Sequence, residues 1–212
     1  MTSDVGQIPG ASPVRQSQKE ATRQRVLDAA RELFDTHGYQ GTTIREIARA
    51  AGVAVGSVFT TFASKGEILS EVMQARLTLL YAEIDRVAPH IRGTTVDRLR
   101  TMFAVHFEFE ARQGRLFLAH IAAAYDWTLP PSAVPYGRNA HFQRLIRNVL
   151  EAGVARGDVR GDADFQEIVD LLMAIYAWTW RLMITQDADV KALIGIMDRR
   201  IGLIADGFAP RS

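Results

Sequence analysis

From Gly41 to Lys65 the sequence reads GTTIREIARAAGVAVGSVFTTFASK. Thr43 is a helix-capping residue and Glu46 lies three positions on, the spacing of a capping box, with Ile44, Ile47 and Ala48 forming an inner apolar face. That short helix ends at Gly52. In the run that follows, Val58, Phe59 and Phe62 keep the helical period, while Ala54, Val55, Ser57, Thr60 and Thr61 form a small, lightly decorated outer face. Upstream, Val26, Leu27, Ala30, Leu33 and Phe34 recur at helical spacing until Gly38. Downstream, Ser64 caps a long helix with Glu67 three residues later, and Ile68, Leu69, Val72, Met73, Leu77, Leu80, Tyr81 and Ile84 carry it to Pro89. Short helices joined by a tight turn at Gly52 have the layout of a helix-turn-helix, whose second helix enters the major groove of DNA.

The chain has 212 residues, enough for one or two domains with a real core. With 25 Lys+Arg against 24 Asp+Glu the net charge is +1, so any nucleic-acid site has to be local. Residues 1–65 carry a net charge of +2, from 8 Lys+Arg and 6 Asp+Glu. The absence of cysteine removes disulfides, thiolate catalysis and thiolate-bound zinc, and fits a reducing cytoplasm. No apolar run approaches the ~20 residues of a membrane helix and no signal-peptide pattern opens the chain, so the expectation is a soluble, cytoplasmic protein without a membrane partner.

Residues 1–17, with Gly6, Pro9, Gly10, Ser12 and Pro13, read as a flexible arm. Beyond Pro89 the pattern stays helical, over Val96–Arg112, Arg115–Trp127, Arg138–Arg156, Asp164–Gln186 and Ala188–Phe208, with a long loop around Pro130, Pro131 and Pro135. The expected fold is all-α: a helix-turn-helix head over residues 18–66 and a larger helical body over residues 67–212.

The segment Gly41–Val53, leading through Gly56 and Phe62 to Ser64-Lys65, together with Ala29-Ala30-Arg31-Glu32-Leu33-Phe34, resembles the TetR family of bacterial transcriptional regulators. The resemblance implies a homodimer on a palindromic double-stranded DNA operator, with the last two helices as the dimer interface and the body as a sensor of a small molecule that releases a repressor. On family positions it implies that Thr42 and Thr43 meet the DNA backbone, that Lys65 reaches a phosphate, and that Ala54, Val55, Gly56, Ser57, Phe59, Thr60 and Thr61 meet the groove. Ala54, Val55, Phe59 and Thr61 depart from the usual pattern, which has a hydroxyl cap, a Lys, a Tyr and a His or Tyr. Base readout then leans on methyl contacts and hydroxyls. Arg15, Lys19, Arg23 and Arg25 cluster against Glu20, which suggests that Lys19 and Arg23 add contacts to flanking phosphates.

In the body, Met102, Phe103, His106, Phe107, Phe109, Phe117, His120, Tyr125 and Trp127 crowd into two consecutive helices, and Phe142, Tyr176, Trp178 and Trp180 follow in later ones. Of these, Met102, Phe103, His106, Phe107, Phe117, His120, Tyr125, Trp127, Phe142, Tyr176 and Trp178 are the expected lining of a pocket for a largely apolar or aromatic effector. His106 and Glu110 have the i,i+4 spacing that can bind a metal, but no third ligand is in view, and neither a metal nor a cofactor is expected. Arg181 lies in an otherwise apolar helix, suited to an anionic ligand or an interface ion pair. The chain has no Gly-x-Ser-x-Gly elbow, no His-Glu-x-x-His and no phosphate-cradling loop, so an enzyme is not expected. The alternative function is a ligand-binding helical protein whose head has a weakened or lost grip on DNA.

Overall fold

The structure, a computed structural model, describes residues 13–124 and 140–208. All regular elements among them are helical: α1 (Pro13–His37), α2 (Ile44–Ala50), α3 (Val55–Thr61), α4 (Lys65–Val87), α5 (Thr95–Ala111), α6 (Gly114–Ala124), α7 (Ala140–Arg156), α8 (Phe165–Thr185) and α9 (Val190–Phe208). A 3-10 turn over Ala88–His90, holding Pro89, follows α4. Helix α1 starts at Pro13, where the fixed φ of proline suits a first helical turn, so residues 13–17, expected in a flexible arm, are helical.

Contacts divide the chain into two compact units, Met1–Val72 and Met73–Ser212. The first turns of α4 therefore pack with the head, a few residues beyond the boundary read from sequence. In the head, α1 packs on α2 and α3, and Val26, Ala30, Phe34, Ile47, Val58, Phe62 and Ile68 close its core. Gly38 at φ +76° ends α1 and Gly52 at φ +63° makes the turn into α3, backbone conformations that L side chains rarely adopt.

In the body, α5 is the central element, packing on α6, α7 and α9, while α8 packs on α6, α7 and α9. One face of α5 is buried along its length: Thr95, Leu99, Met102, Phe103, His106, Phe107 and Glu110. Its N-terminus is closed by the Thr94–Asp97 capping box and by Asp158, whose carboxylate accepts from Thr95 N at 2.6 Å and Thr95 Oγ1 at 2.9 Å. Gly153 of α7 sits where a Cβ would collide with Thr95 Oγ1 and Val159, so only glycine permits this approach.

The expectation about membrane-length helices needs one correction. Helix α8 is long and apolar enough to cross a membrane by length and composition. The sequence reading missed it because Gln166, Glu167, Asp170 and Arg181 interrupt the apolar run. Its inner side, Leu172, Tyr176 and Trp180, is nonetheless buried within the body, and Asp164 caps its start.

Candidate functional site

The helix-turn-helix is built on local hydrogen bonds. Thr43 Oγ1 accepts from Glu46 N at 3.2 Å while Glu46 Oε2 accepts from Thr43 N at 2.8 Å, completing the capping box. These bonds from Thr43 hold the Glu46 carboxyl below its ordinary range. Helix α3 begins at Ala54 without a side-chain cap, and Phe62 closes it with its N–H on Val58 O. Val58 and Phe62 point into the head, whereas Ala54, Val55, Gly56, Phe59 and Thr60 are exposed and Ser57 and Thr61 half-buried. Sequence periodicity placed Phe59 inside with Val58, but it is 58% exposed, on the outer face with Val55.

Three side chains expected to meet DNA phosphates have internal partners instead. Thr42 is buried, and its hydroxyl interacts with Gly38 O at 2.8 Å and Leu33 O at 3.2 Å. Lys65 Nζ donates to Tyr39 O at 2.7 Å and Thr42 O at 2.9 Å and lies 4.2 Å from the Tyr39 ring centroid, clasping the α1–α2 loop. Partial burial lowers its pKa. Arg23 pairs with Glu71, donates to Thr61 O at 3.3 Å and lies over the Phe62 ring, so its charge ties α1 to α3 and the start of α4. Lys19 is exposed.

The body holds an aromatic cluster with a polar centre. His106 is buried, with its ring centroid 4.4 Å from Phe142, 5.1 Å from Tyr176 and 6.1 Å from Phe117. Its Nδ1 lies 2.6 Å from Tyr176 Oη. Phe103 meets Phe142 edge-on at 5.1 Å, Phe107 stacks on Trp180 at 5.1 Å, and Phe117 lies 4.8 Å from Trp180 and 5.7 Å from His120. Met102 is buried on the same face of α5. The sequence-derived set thus converges for Met102, Phe103, His106, Phe107, Phe117, His120, Phe142 and Tyr176. Trp178 does not join them. It is 59% exposed, and two residues along a helix turn a side chain by roughly 200°, so Trp180 takes the inner position. Arg181 is exposed with its guanidinium 6.0 Å from the Trp178 ring centroid, on the outer side of α8. Tyr125 and Trp127 lie outside the described residues.

Sequence reasoning missed Arg76. It donates from Nη2 to Glu110 Oε2 at 2.8 Å and also bonds Gln113, within 5.1 Å of the Phe109 ring centroid. Glu110 is fully buried, so the spacing that suggested a metal pair instead serves an ion pair with α4 and a separate His106–Tyr176 bond. The available signal was a lone arginine on the Met73–Leu77–Leu80 stripe of α4. Burial raises the Glu110 pKa and the Arg76 guanidinium opposes that rise. Among the described residues, His106 Nε2, Glu110 Oε1 and Trp180 Nε1 are buried without a hydrogen-bond partner, and no cluster of three metal-ligating side chains occurs.

The model of "Bacterial regulatory proteins, tetR family" matches residues 26–72, which run from α1 through α3 into α4. The transcriptional repressor KstR2 of Rhodococcus jostii is 32% identical over 157 residues, covering 71% of this chain and 74% of that protein. The chain belongs to the TetR family. A second relative of this TetR-family protein, the regulator HbdR of an Aromatoleum species, is 38% identical over 162 residues, covering 75% of this chain and 69% of its own. The structure of Thermus thermophilus FadR, a TetR-family repressor in complex with lauroyl-CoA, matches at 27% identity with a TM-score of 0.70, covering 90% of this chain and 96% of that one. This TetR-family chain is a DNA-binding, ligand-responsive transcriptional regulator of the repressor type.

Burial of the two imidazoles makes stability depend on pH. Desolvation, aided by the neighbouring His120, lowers the His106 pKa to about 3, and desolvation lowers that of His120 to about 4. Both rings are neutral in the fold, while the unfolded chain protonates them near pH ~6.5. Below that pH the unfolded state takes up protons that the native state refuses, so stability falls by about 1.4 kcal/mol per pH unit per imidazole until the buried pKa values are reached. Glu110, raised by burial, works in the opposite direction at the acidic end of this window. Urea-unfolding midpoints should therefore drop as pH is lowered from about 6.5 to about 5. A His106→Asn/His120→Asn variant should show a shallower dependence, and a flat wild-type profile would contradict the burial of these rings.

Proposed function

We propose that this chain represses transcription in the cytoplasm as a homodimer on a palindromic operator, and that a small, largely apolar or aromatic acyl compound seated in the α5–α8 aromatic cluster releases it. The head reads DNA through the exposed face of Ala54, Val55, Gly56, Ser57, Phe59, Thr60 and Thr61, with Thr43 at the start of α2 and Lys19 toward flanking phosphates. The body senses the effector and dimerises.

One observation carries the effector reading: His106 presents a buried ring nitrogen with no partner inside a shell of aromatic rings. A phenol is a stronger acid than a neutral imidazole, so Tyr176 O–H is the donor to Nδ1 and the imidazole proton resides on Nε2. A buried N–H left unpaired costs about 1–3 kcal/mol, which a ligand oxygen recovers. The complement is an apolar skeleton carrying a carbonyl or carboxylate oxygen. The lauroyl-CoA of the Thermus structure is a compound of this class and supports the reading. Coupling to DNA needs only unequal binding to two states, and ~1–3 kcal/mol gives about 5–150-fold. Helix α4 is the natural carrier, since it continues from the head into the body, where Arg76 ties it to α5.

The last two helices support self-association. Leu171 and Trp178 lie seven residues apart on one exposed stripe of α8, and Leu203 is 75% exposed on α9. To enter successive major grooves of a palindrome, the two heads of a dimer must sit about 34–36 Å apart. Sedimentation should give a dimer at micromolar concentration, and Trp178→Arg with Leu203→Asp should give a folded monomer. A wild-type monomer would contradict the reading.

For the effector, operator-bound protein titrated with lauroyl-CoA, aromatic acyl-CoA esters, the free acids and CoA alone should release DNA with at least one acyl compound and not with CoA. His106→Phe should keep operator affinity and lose about tenfold in effector sensitivity, the equivalent of one buried hydrogen bond. Unchanged sensitivity in His106→Phe would overturn the assignment of the site.

A further inference from the structure

Helix α3 carries a face that the head does not use internally. Its residues, VGSVFTT, include no Arg, Lys, Asn, Gln, His, Asp or Glu, so the helix offers no bidentate pairing to guanine or adenine edges. What it exposes is apolar. Phe59 is 58% and Val55 37% exposed, and their i,i+4 spacing puts them on one side of the helix. The two threonine hydroxyls do not compensate as donors, because Thr60 Oγ1 and Thr61 Oγ1 donate to Ser57 O at 3.0 and 2.8 Å. Toward a partner they present lone pairs.

Gly56 adds an independent observation. A Cβ built on it meets nothing within 4 Å, and its φ is not positive. Neither packing nor backbone conformation in the head requires glycine, and alanine would favour the helix. A bare position between Val55 and Phe59 makes sense where an outside surface comes close to the helix backbone.

We propose that α3 reads the operator through thymine methyl groups packed against Val55 and Phe59, with Gly56 left bare so that the helix backbone approaches the base edges. The proposal rests on the DNA-binding function of the head and specifies what that head recognises. The thymine C5-methyl is the apolar group on the major-groove edge of the four base pairs, and so the one that an apolar side chain can select. Thr60, as an acceptor, suits an adenine or cytosine amino group beside it.

The test begins with fragments of the source genome enriched by the full-length protein. The best palindrome is then remade as duplexes in which single thymines are replaced by deoxyuridine, and each is titrated by fluorescence anisotropy at fixed salt. Loss of one buried methyl should weaken binding about three- to fivefold at one or two positions per half-site. In Val55→Ala or Phe59→Ala, which alter exposed side chains, the penalty at the partnered thymine should vanish. Gly56→Ala should keep or raise the thermal midpoint while weakening operator binding by about tenfold, through a steric clash with the DNA. A scan flat at every thymine, with large losses on replacing guanines by 7-deazaguanine, would overturn the proposal, as would Gly56→Ala binding like wild type. If no fragment is enriched at low salt, the DNA-binding reading fails with it, a result distinct from a flat scan on a real operator.

Discussion

The buried charge of Glu110 is the constraint around which the body is organised. A carboxylate removed from water on a buried helix face needs a partner, and Arg76 of α4 supplies it at 2.8 Å. Such a pair adds little net stability compared with a well-packed apolar pair, yet removing one partner typically costs about 3–5 kcal/mol, because the other charge is left buried. What the pair secures is therefore register: α4 cannot slide along α5 without stranding a charge. Gln113 adds a second bond from the next turn of the chain to the same guanidinium.

The aromatic cluster follows from the same helix face. His106 lies one turn before Glu110 and is met from α8 by Tyr176, so α5 carries two polar groups into the core, each satisfied on one side. The unsatisfied atoms, His106 Nε2 and Glu110 Oε1, lie on the same helix, the first of them within a shell of aromatic rings. A core intended only for stability is better served by apolar residues of the same volume. In the proposed function the unpaired His106 Nε2 receives the ligand's oxygen, and the helix that answers to Glu110 is the one that continues into the DNA-binding head.

Much of this was legible in the sequence where the physics is local. The Thr43–Glu46 box, the turn at Gly52 and the inner stripe of each body helix depend on residues three to seven apart, and the observed helices lie within a few residues of those expected. The converging residues of the core were also legible, because aromatic residues on α5 and α6 face inward at helical spacing. What was not legible was long-range. Arg23 with Glu71, Lys65 with the carbonyls of Tyr39 and Thr42, and Arg76 with Glu110 join residues 23 to 48 positions apart, where local pattern pointed Arg23 and Lys65 to DNA and Glu110 to a metal spacing. Trp178 was misplaced for a different reason. Tyr176 and Trp180 share the i,i+4 stripe that Trp178 leaves, so the spacing held the answer and counting aromatics obscured it.

In the proposed function an effector in the aromatic cluster acts on DNA binding through the Arg76–Glu110 link. The most direct measurement is operator affinity with and without saturating acyl compound, in wild type and in Glu110→Gln, with effector affinity determined separately for each. Glu110→Gln should still bind the compound within about threefold of wild type, while the compound's effect on operator affinity shrinks from at least about tenfold to under about threefold. Undiminished release of DNA by Glu110→Gln, with effector bound as in wild type, would contradict it.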